Sequence, residues 1–314
     1  MWPPIGRSLP AEDTRGMRIL AAPGQGSQKP GFLEPWLTDE SARDSLAHWS
    51  DLTGIDLVAH GTTSDADTIR DTRIAQPLIV AAGLLTGRRV LAALGDSSVH
   101  LAGHSVGEIT AAALAGVFSD DEAMTFVAAR GRAMADAAAL TPTGMSAVVG
   151  AGYDAIAPVL EGMNLRPANV NSDSQVVAAG LLSDLAILKD SPPEGTRVIP
   201  LDVAGAFHTD FMSFAQDPLR AVASTMSPQN PTRPLHTNRD GSVVESGEEF
   251  LDLLVGQVVS PVRWDLCMQS FEADGASEFI ELAPAGALVG LAKRALTGVE
   301  CRKIDLPEHI DELS

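Results

Sequence analysis

Aromatic side chains are scarce in this 314-residue chain, at 4% of positions with a single tyrosine. A core short of rings argues against an aromatic-rich β-sandwich. The abundance of Ala, Gly, Val and Leu points instead to α/β packing with close helix–sheet contacts. Positive charge is also in deficit: 22 Lys and Arg stand against 41 Asp and Glu, a formal net charge of −19. Such a chain repels nucleic acid, and any anionic partner must find a local basic patch on an acidic body. Arg88 with Arg89, and Lys293, Arg294, Arg302 and Lys303, are the candidates for one. Cysteine is nearly absent. Cys267 and Cys301 form no CxxC pair and lie near no histidine at metal spacing, so they read as reduced thiols of a cytoplasmic protein. No run reaches the ~18 apolar residues of a membrane span; the longest, 77–86, is broken by Gly87-Arg88-Arg89. The first sixteen residues lack the apolar segment of a signal peptide. Met17 opens a strand-like run, so residues 1–16 are expected to be a disordered or mis-started tail.

What is present is an alternation of short apolar strands and helices in a chain that is 45% hydrophobic, ample for a buried core. Strands are expected at 19–22 and 99–102, and helices at 39–54, 78–85, 106–115 and 119–139. Pro77 would sit in the first turn of its helix. Ser119, followed by three acidic residues, has the chemistry of an N-cap. From Gly144 the order becomes strand 145–149, helix 154–161, strands 167–170 and 175–179, helix 183–189 and strand 196–203. That βαββαβ order is ferredoxin-like. Helix is expected again at 210–224, 247–255 and 287–296, with strands at 234–237 and 278–282. The fold class is therefore α/β: a large domain over 17–141 and 205–314 with a central, mostly parallel sheet, interrupted by a small ferredoxin-like subdomain over 142–204. The cleft between the two is the expected ligand site.

One motif carries chemistry at first sight. Gly103-His104-Ser105-Val106-Gly107 matches G-x-S-x-G between a strand and a helix. In a nucleophile elbow the serine occupies a sharp turn, the next backbone N–H (Val106) faces the developing oxyanion, and the helix N-terminus adds positive charge there. A serine hydroxyl needs a base. Of the seven histidines His208 is the best placed, in the Gly205-Ala206-Phe207-His208 turn where the inserted segment returns to the main domain. His104 reads as structural, and His48, His60, His100, His236 and His309 as surface or satisfied polar residues. Asp202 and Asp210 flank His208, and the group that would orient its imidazole is left open between a carboxylate and a backbone carbonyl. The Gly24-Gln25-Gly26-Ser27-Gln28 turn is a phosphate-binding loop, a plain turn or the source of a second oxyanion N–H; it matches neither GxGxxG nor a Walker A loop, so nucleotide binding has little support.

Seven segments occur in an order that resembles the malonyl-CoA:acyl carrier protein transacylases, actinobacterial members most of all. They are Pro23-Gly24-Gln25-Gly26-Ser27-Gln28, Thr72-Arg73-Ile74-Ala75-Gln76-Pro77, Gly103-His104-Ser105-Val106-Gly107-Glu108, Arg130-Gly131-Arg132-Ala133-Met134, Asn169-Val170-Asn171, Gly205-Ala206-Phe207-His208, and the run from Gln257 to Trp264. The resemblance spans about 17–304. It implies a hydrolase-like core with a ferredoxin-like insert, Ser105 as nucleophile and His208 as base. Backbone N–H groups of Gln25 and Val106 would form the oxyanion hole, and the Gln257 main-chain carbonyl would orient His208. Arg130 would pair with the malonyl carboxylate, with Phe207 and Asn169 beside the substrate; Phe207 fits malonyl rather than methylmalonyl selection. Asp210 departs from members with an uncharged residue there. The implied substrates are malonyl-CoA and the phosphopantetheine thiol of acyl carrier protein. No metal or redox cofactor is implied, and a monomer is expected. Competing readings are a serine hydrolase or thioesterase, a carrier-binding scaffold with a dead site, and a loader for polyketide synthesis.

Overall fold

A computed structural model describes residues 16–95 and 98–313, so the expected N-terminal tail lies, apart from Gly16, outside the described residues. The strands are β1 (Met17–Ala22), β2 (Val99–Gly103), β3 (Thr143–Val149), β4 (Arg166–Ser172), β5 (Gln175–Leu181), β6 (Arg197–Pro200), β7 (Val262–Arg263), β8 (Ala276–Glu281) and β9 (Glu300–Lys303). They form two sheets. The first is parallel throughout, in the order β2-β1-β8-β9. All but one of the residues of β1 are buried, as expected of a central strand covered by helices on both faces. Register pairs Ala22 with Gly103, so the turns that follow β1 and β2 lie side by side. This is what brings the Gln25 turn to the elbow at Ser105.

The second sheet runs β6-β3-β5-β4-β7. Its first four strands are antiparallel neighbours with the two helices Tyr153–Gly162 and Leu182–Asp190 between them in sequence, the βαββαβ pattern. The fifth, β7, comes from beyond the inserted segment and pairs parallel with β4, Asn169 opposite Val262.

Three elements differ from expectation. The helix expected at 78–85 runs from Thr72 to Leu94 and contains Pro77 in its interior. It starts early because the Asp71 side chain accepts from the Arg73 N–H and caps it. It is also long and apolar enough to cross a membrane by length and composition, yet two thirds of that stretch is buried as a core helix. Gly87-Arg88-Arg89 does not end it, because the two arginines turn to Asp120 and Asp39. The strand expected at 234–237 is reduced to single bridges, Leu101 with Leu235 and His236 with Val243. The stretch expected as a helix at 210–224 divides into a 3-10 turn, Asp210–Ala215, and a helix, Gln216–Ala223.

Candidate active site

Ser105 has φ 55°, a left-handed backbone that only a constrained turn imposes on a serine. Two glycines make the turn possible. A Cβ on Gly103 would lie 2.0 Å from the Gly107 carbonyl carbon, and one on Gly107 would lie 2.2 Å from the Ala22 oxygen. The strained residue is tied down by Asn238, whose Oδ1 accepts from the Ser105 N–H at 2.7 Å while its Nδ2 donates to the Gly103 carbonyl at 2.7 Å. The helix Gly107–Leu114 begins directly behind it.

His208 meets the serine across 103 residues of sequence. Its Nε2 lies 2.7 Å from Ser105 Oγ and its Nδ1 2.9 Å from the Gln257 carbonyl oxygen. A carbonyl only accepts, so Nδ1 carries the proton and Nε2 presents its lone pair to the hydroxyl. The Gln257 carbonyl ends the helix Gly247–Gln257, where the last C=O groups lack partners within the helix, and its two lone pairs serve His208 and the Ser260 N–H, 3.1 Å away. Burial, and then the charge of Arg130, push the His208 pKa down to about 3, so the imidazole is neutral at physiological pH. Neither flanking aspartate touches the ring: Asp202 faces Arg70 at 3.8 Å and Asp210 faces Arg166 at 3.8 Å, both exposed. The choice left open by sequence falls to the carbonyl.

Arg130 is fully buried. It comes from the helix Asp120–Ala138, which Ser119 and Glu122 start with a reciprocal capping box. Its Nη1 donates to Gln76 Oε1 at 2.8 Å and its Nη2 to Gln257 Oε1 at 2.7 Å, and Nη2 also stands 3.4 Å from Ser105 Oγ. Its Nε has no acceptor among the described residues. Glu108, the carboxyl whose charge acts on Arg130, is buried and accepts from the Asn238 N–H and the Gln257 side chain. Burial pushes Glu108 up to about 8 and Arg130 down to about 10. Among the described residues no carboxylate lies within 4.0 Å of the guanidinium, whose hydrogen bonds go to two neutral amide oxygens, which leaves an under-compensated cation beside the serine.

A cavity of about 160 Å³ opens here between the two sheets. Gln25, Ser105, Asn169, Phe207 and His208 line it together with Met145 and Leu201. Roughly 150 Å³ holds a benzene-sized guest, so a three-carbon acyl group fits. The N–H groups of Gln25 and Val106 find no acceptor among the described residues. They are the donors available to an anion at the serine.

All eight residues singled out by sequence thus belong to one neighbourhood. Asn238, Glu108 and Gln76 were missed. Glu108 and Gln76 stand inside the quoted motifs with no role inferred from them, and Asn238 carries no motif signal. His104 packs as expected of a structural residue, its Nε2 3.0 Å from Asn171 Oδ1 and its ring edge-on to Trp264. Of the expected basic patches, Lys293 and Arg294 make no ion pair among the described residues, and the rest are paired, Arg89 with Asp39. Arg88 pairs with Asp120, Arg302 with Glu278 and Glu300, and Lys303 with Asp305.

The chain as a whole is similar to known proteins. The acyl transferase domain family matches residues 21–305. The malonyl CoA-acyl carrier protein transacylase of Mycobacterium bovis is 46% identical over 300 residues, covering 95% of this chain and 99% of its own length. The protein of that name from Escherichia coli K12 is 30% identical over 91% of this chain and 94% of its own. Among solved structures, the crystal structure of MCAT from Mycobacterium tuberculosis superposes with a TM-score of 0.92 at 46% identity, covering 95% of this chain and 99% of that one. A malonyl-transacylase in complex with its type II PKS acyl-carrier protein superposes with a TM-score of 0.88 at 28% identity, covering 95% and 98%.

Proposed function

The chain belongs to the malonyl CoA-acyl carrier protein transacylases of the acyl transferase domain family, and from that premise we propose that Ser105 carries the malonyl group from coenzyme A to the phosphopantetheine thiol of an acyl carrier protein. The transfer supplies fatty acid elongation. His208 Nε2 takes the hydroxyl proton as Ser105 Oγ attacks the thioester carbonyl. The Gln25 and Val106 N–H groups hold the oxyanion. Collapse breaks the carbon–sulfur bond, and the imidazolium returns its proton to the departing coenzyme A sulfur. The carrier thiol then gives a proton to His208, attacks the ester carbonyl, and leaves as the malonyl thioester while Ser105 recovers the proton.

The observation that carries this reading is the under-compensated Arg130 guanidinium 3.4 Å from the nucleophile. A hydrolase of neutral esters has no use for a buried cation there. An acyl group ending in a carboxylate does, because its free end supplies the missing anion in the planar geometry that guanidinium matches. Phe207 and Asn169 bound the same cavity and limit the acyl group to a small one.

Mass spectrometry of the intact protein after malonyl-CoA tests the proposal. One malonyl adduct on the Ser105 peptide, discharged by carrier protein, is expected. An adduct formed equally well by Ser105→Ala would overturn it, and rapid release as free malonate would make the enzyme a thioesterase.

A further inference from the structure

Far from the serine, a second group of side chains converges at the other end of β2. His100 is the second residue of that strand, five residues before Ser105, or roughly 16 Å along an extended chain. His236 comes from the segment that bridges to β2 at Leu235, and Asp274 caps the C-terminus of the helix Trp264–Ala273. His100 Nδ1 lies 3.1 Å from His236 Nε2, and a carboxylate oxygen of Asp274 lies within 4.8 Å of a ring nitrogen of each histidine.

The His236 tautomer decides what this means. Its Nδ1 stands 3.0 Å from the Gly241 carbonyl oxygen, which can only accept, so Nδ1 is the protonated nitrogen and Nε2 offers a lone pair toward His100. A carbonyl that fixes the remote nitrogen in this way is the usual support of a metal-binding imidazole. The ring is held further by Phe271, edge-on at 5.0 Å between centroids.

We propose that His100, His236 and Asp274 bind a divalent first-row metal ion, zinc foremost, at a site separate from the acyl-transfer centre. The 3.1 Å between the two nitrogens is close to the edge of a tetrahedron with metal–nitrogen bonds of about 2.0–2.1 Å, which is about 3.3 Å. Asp274 is exposed and at a helix end, so its carboxylate swings in without disturbing the core. Two imidazoles, one carboxylate and an open fourth position are a donor set suited to zinc, cobalt or nickel rather than to calcium or magnesium. The chain's net charge of −19 draws cations to it. The ion would join three segments distant in sequence, the start of β2, the 236 turn and the end of a helix, and so act on stability.

Titration of the untagged full chain with zinc chloride, and separately with cobalt chloride, tests the proposal by calorimetry, cobalt absorption and thermal unfolding. One equivalent per chain is expected. The melting temperature should rise by about 5 °C at a zinc concentration 100-fold above the dissociation constant. Asp274→Asn, at an exposed position that leaves the core intact, should weaken binding at least tenfold, and His100→Gln should abolish it. Malonyl loading of Ser105 should be unchanged in both variants, which separates this site from the one proposed above. No binding by the parent chain would mean a plain His100–His236 hydrogen bond. Binding that survives both substitutions would mean adventitious capture by surface acids. Either result overturns the proposal.

Discussion

Replacing Arg130 by alanine gives the sharpest test of how the site chooses its acyl group. Nη2 is 3.4 Å from Ser105 Oγ, so a carboxylate two carbons from the reacting carbonyl falls within direct reach of the guanidinium. A hydrogen bond to a charged group contributes about 1.5–3 kcal/mol. That is about tenfold to a hundredfold in kcat/KM for malonyl over acetyl. The substitution also strips a donor from Gln76 Oε1 and Gln257 Oε1, and Gln257 holds His208. Absolute rates will therefore fall for every substrate. The ratio cancels that loss, because the disturbed His208 serves malonyl and acetyl thioesters alike. The assay is competitive loading with equimolar malonyl-CoA and acetyl-CoA, reading both adducts on the intact protein. The malonyl-to-acetyl ratio should drop by about tenfold or more. A ratio within about twofold of the parent, in a variant that still loads, would refute the role given to this residue.

Other outcomes follow from the same geometry. The His208 pKa is pushed down to about 3, so loading of Ser105 should show no inflection near pH 6.5; one there, abolished by no change of substrate, would contradict the buried neutral base. The depressed value also costs stability in acid. Between about pH 6.5 and 3 the unfolded imidazole binds a proton that the folded one refuses, so stability falls as pH falls through that window, and His208→Gln should flatten part of the slope in urea unfolding. Asn238→Ala removes the acceptor of the Ser105 N–H and the donor to Gly103; unfolding should become easier by about 1–3 kcal/mol with slower acylation, and an unchanged rate would show that the elbow holds itself. Gly107→Ala puts a Cβ 2.2 Å from the Ala22 oxygen and should cost at least about 3 kcal/mol, or soluble yield altogether.

The parts of this molecule that local chemistry determines were readable from residues. Ser119 with Glu122 announces a helix start, and the two glycines around Ser105 announce a turn too tight for a Cβ. The βαββαβ alternation could be read because each strand carries its own apolar pattern. What sequence hid depends on distant partners. Pro77 was placed at a helix start because proline costs a hydrogen bond in an interior, yet Asp71 and the packing of a long buried helix outweigh that cost. The 234–237 stretch has strand composition, but only Leu235 and His236 find bridging partners. Gln257, Arg130 and Phe207 had no signal in spacing and were reached only through family likeness. Asn238 and the His100–His236–Asp274 group were missed because their members meet across 133, 136 and 38 residues of chain.

The fifth strand of the smaller sheet ties the architecture to the chemistry. The backbone that leaves the Gln257 carbonyl reaches β7 five residues later, and β7 is stitched to β4 at Asn169 and Val170. A swing of the smaller lobe away from the larger would therefore pull on the one acceptor that keeps the imidazole proton on its far side. Under the proposed function the pantetheine arm has to reach Ser105 without parting the lobes, because parting them would draw the Gln257 carbonyl away from His208 Nδ1.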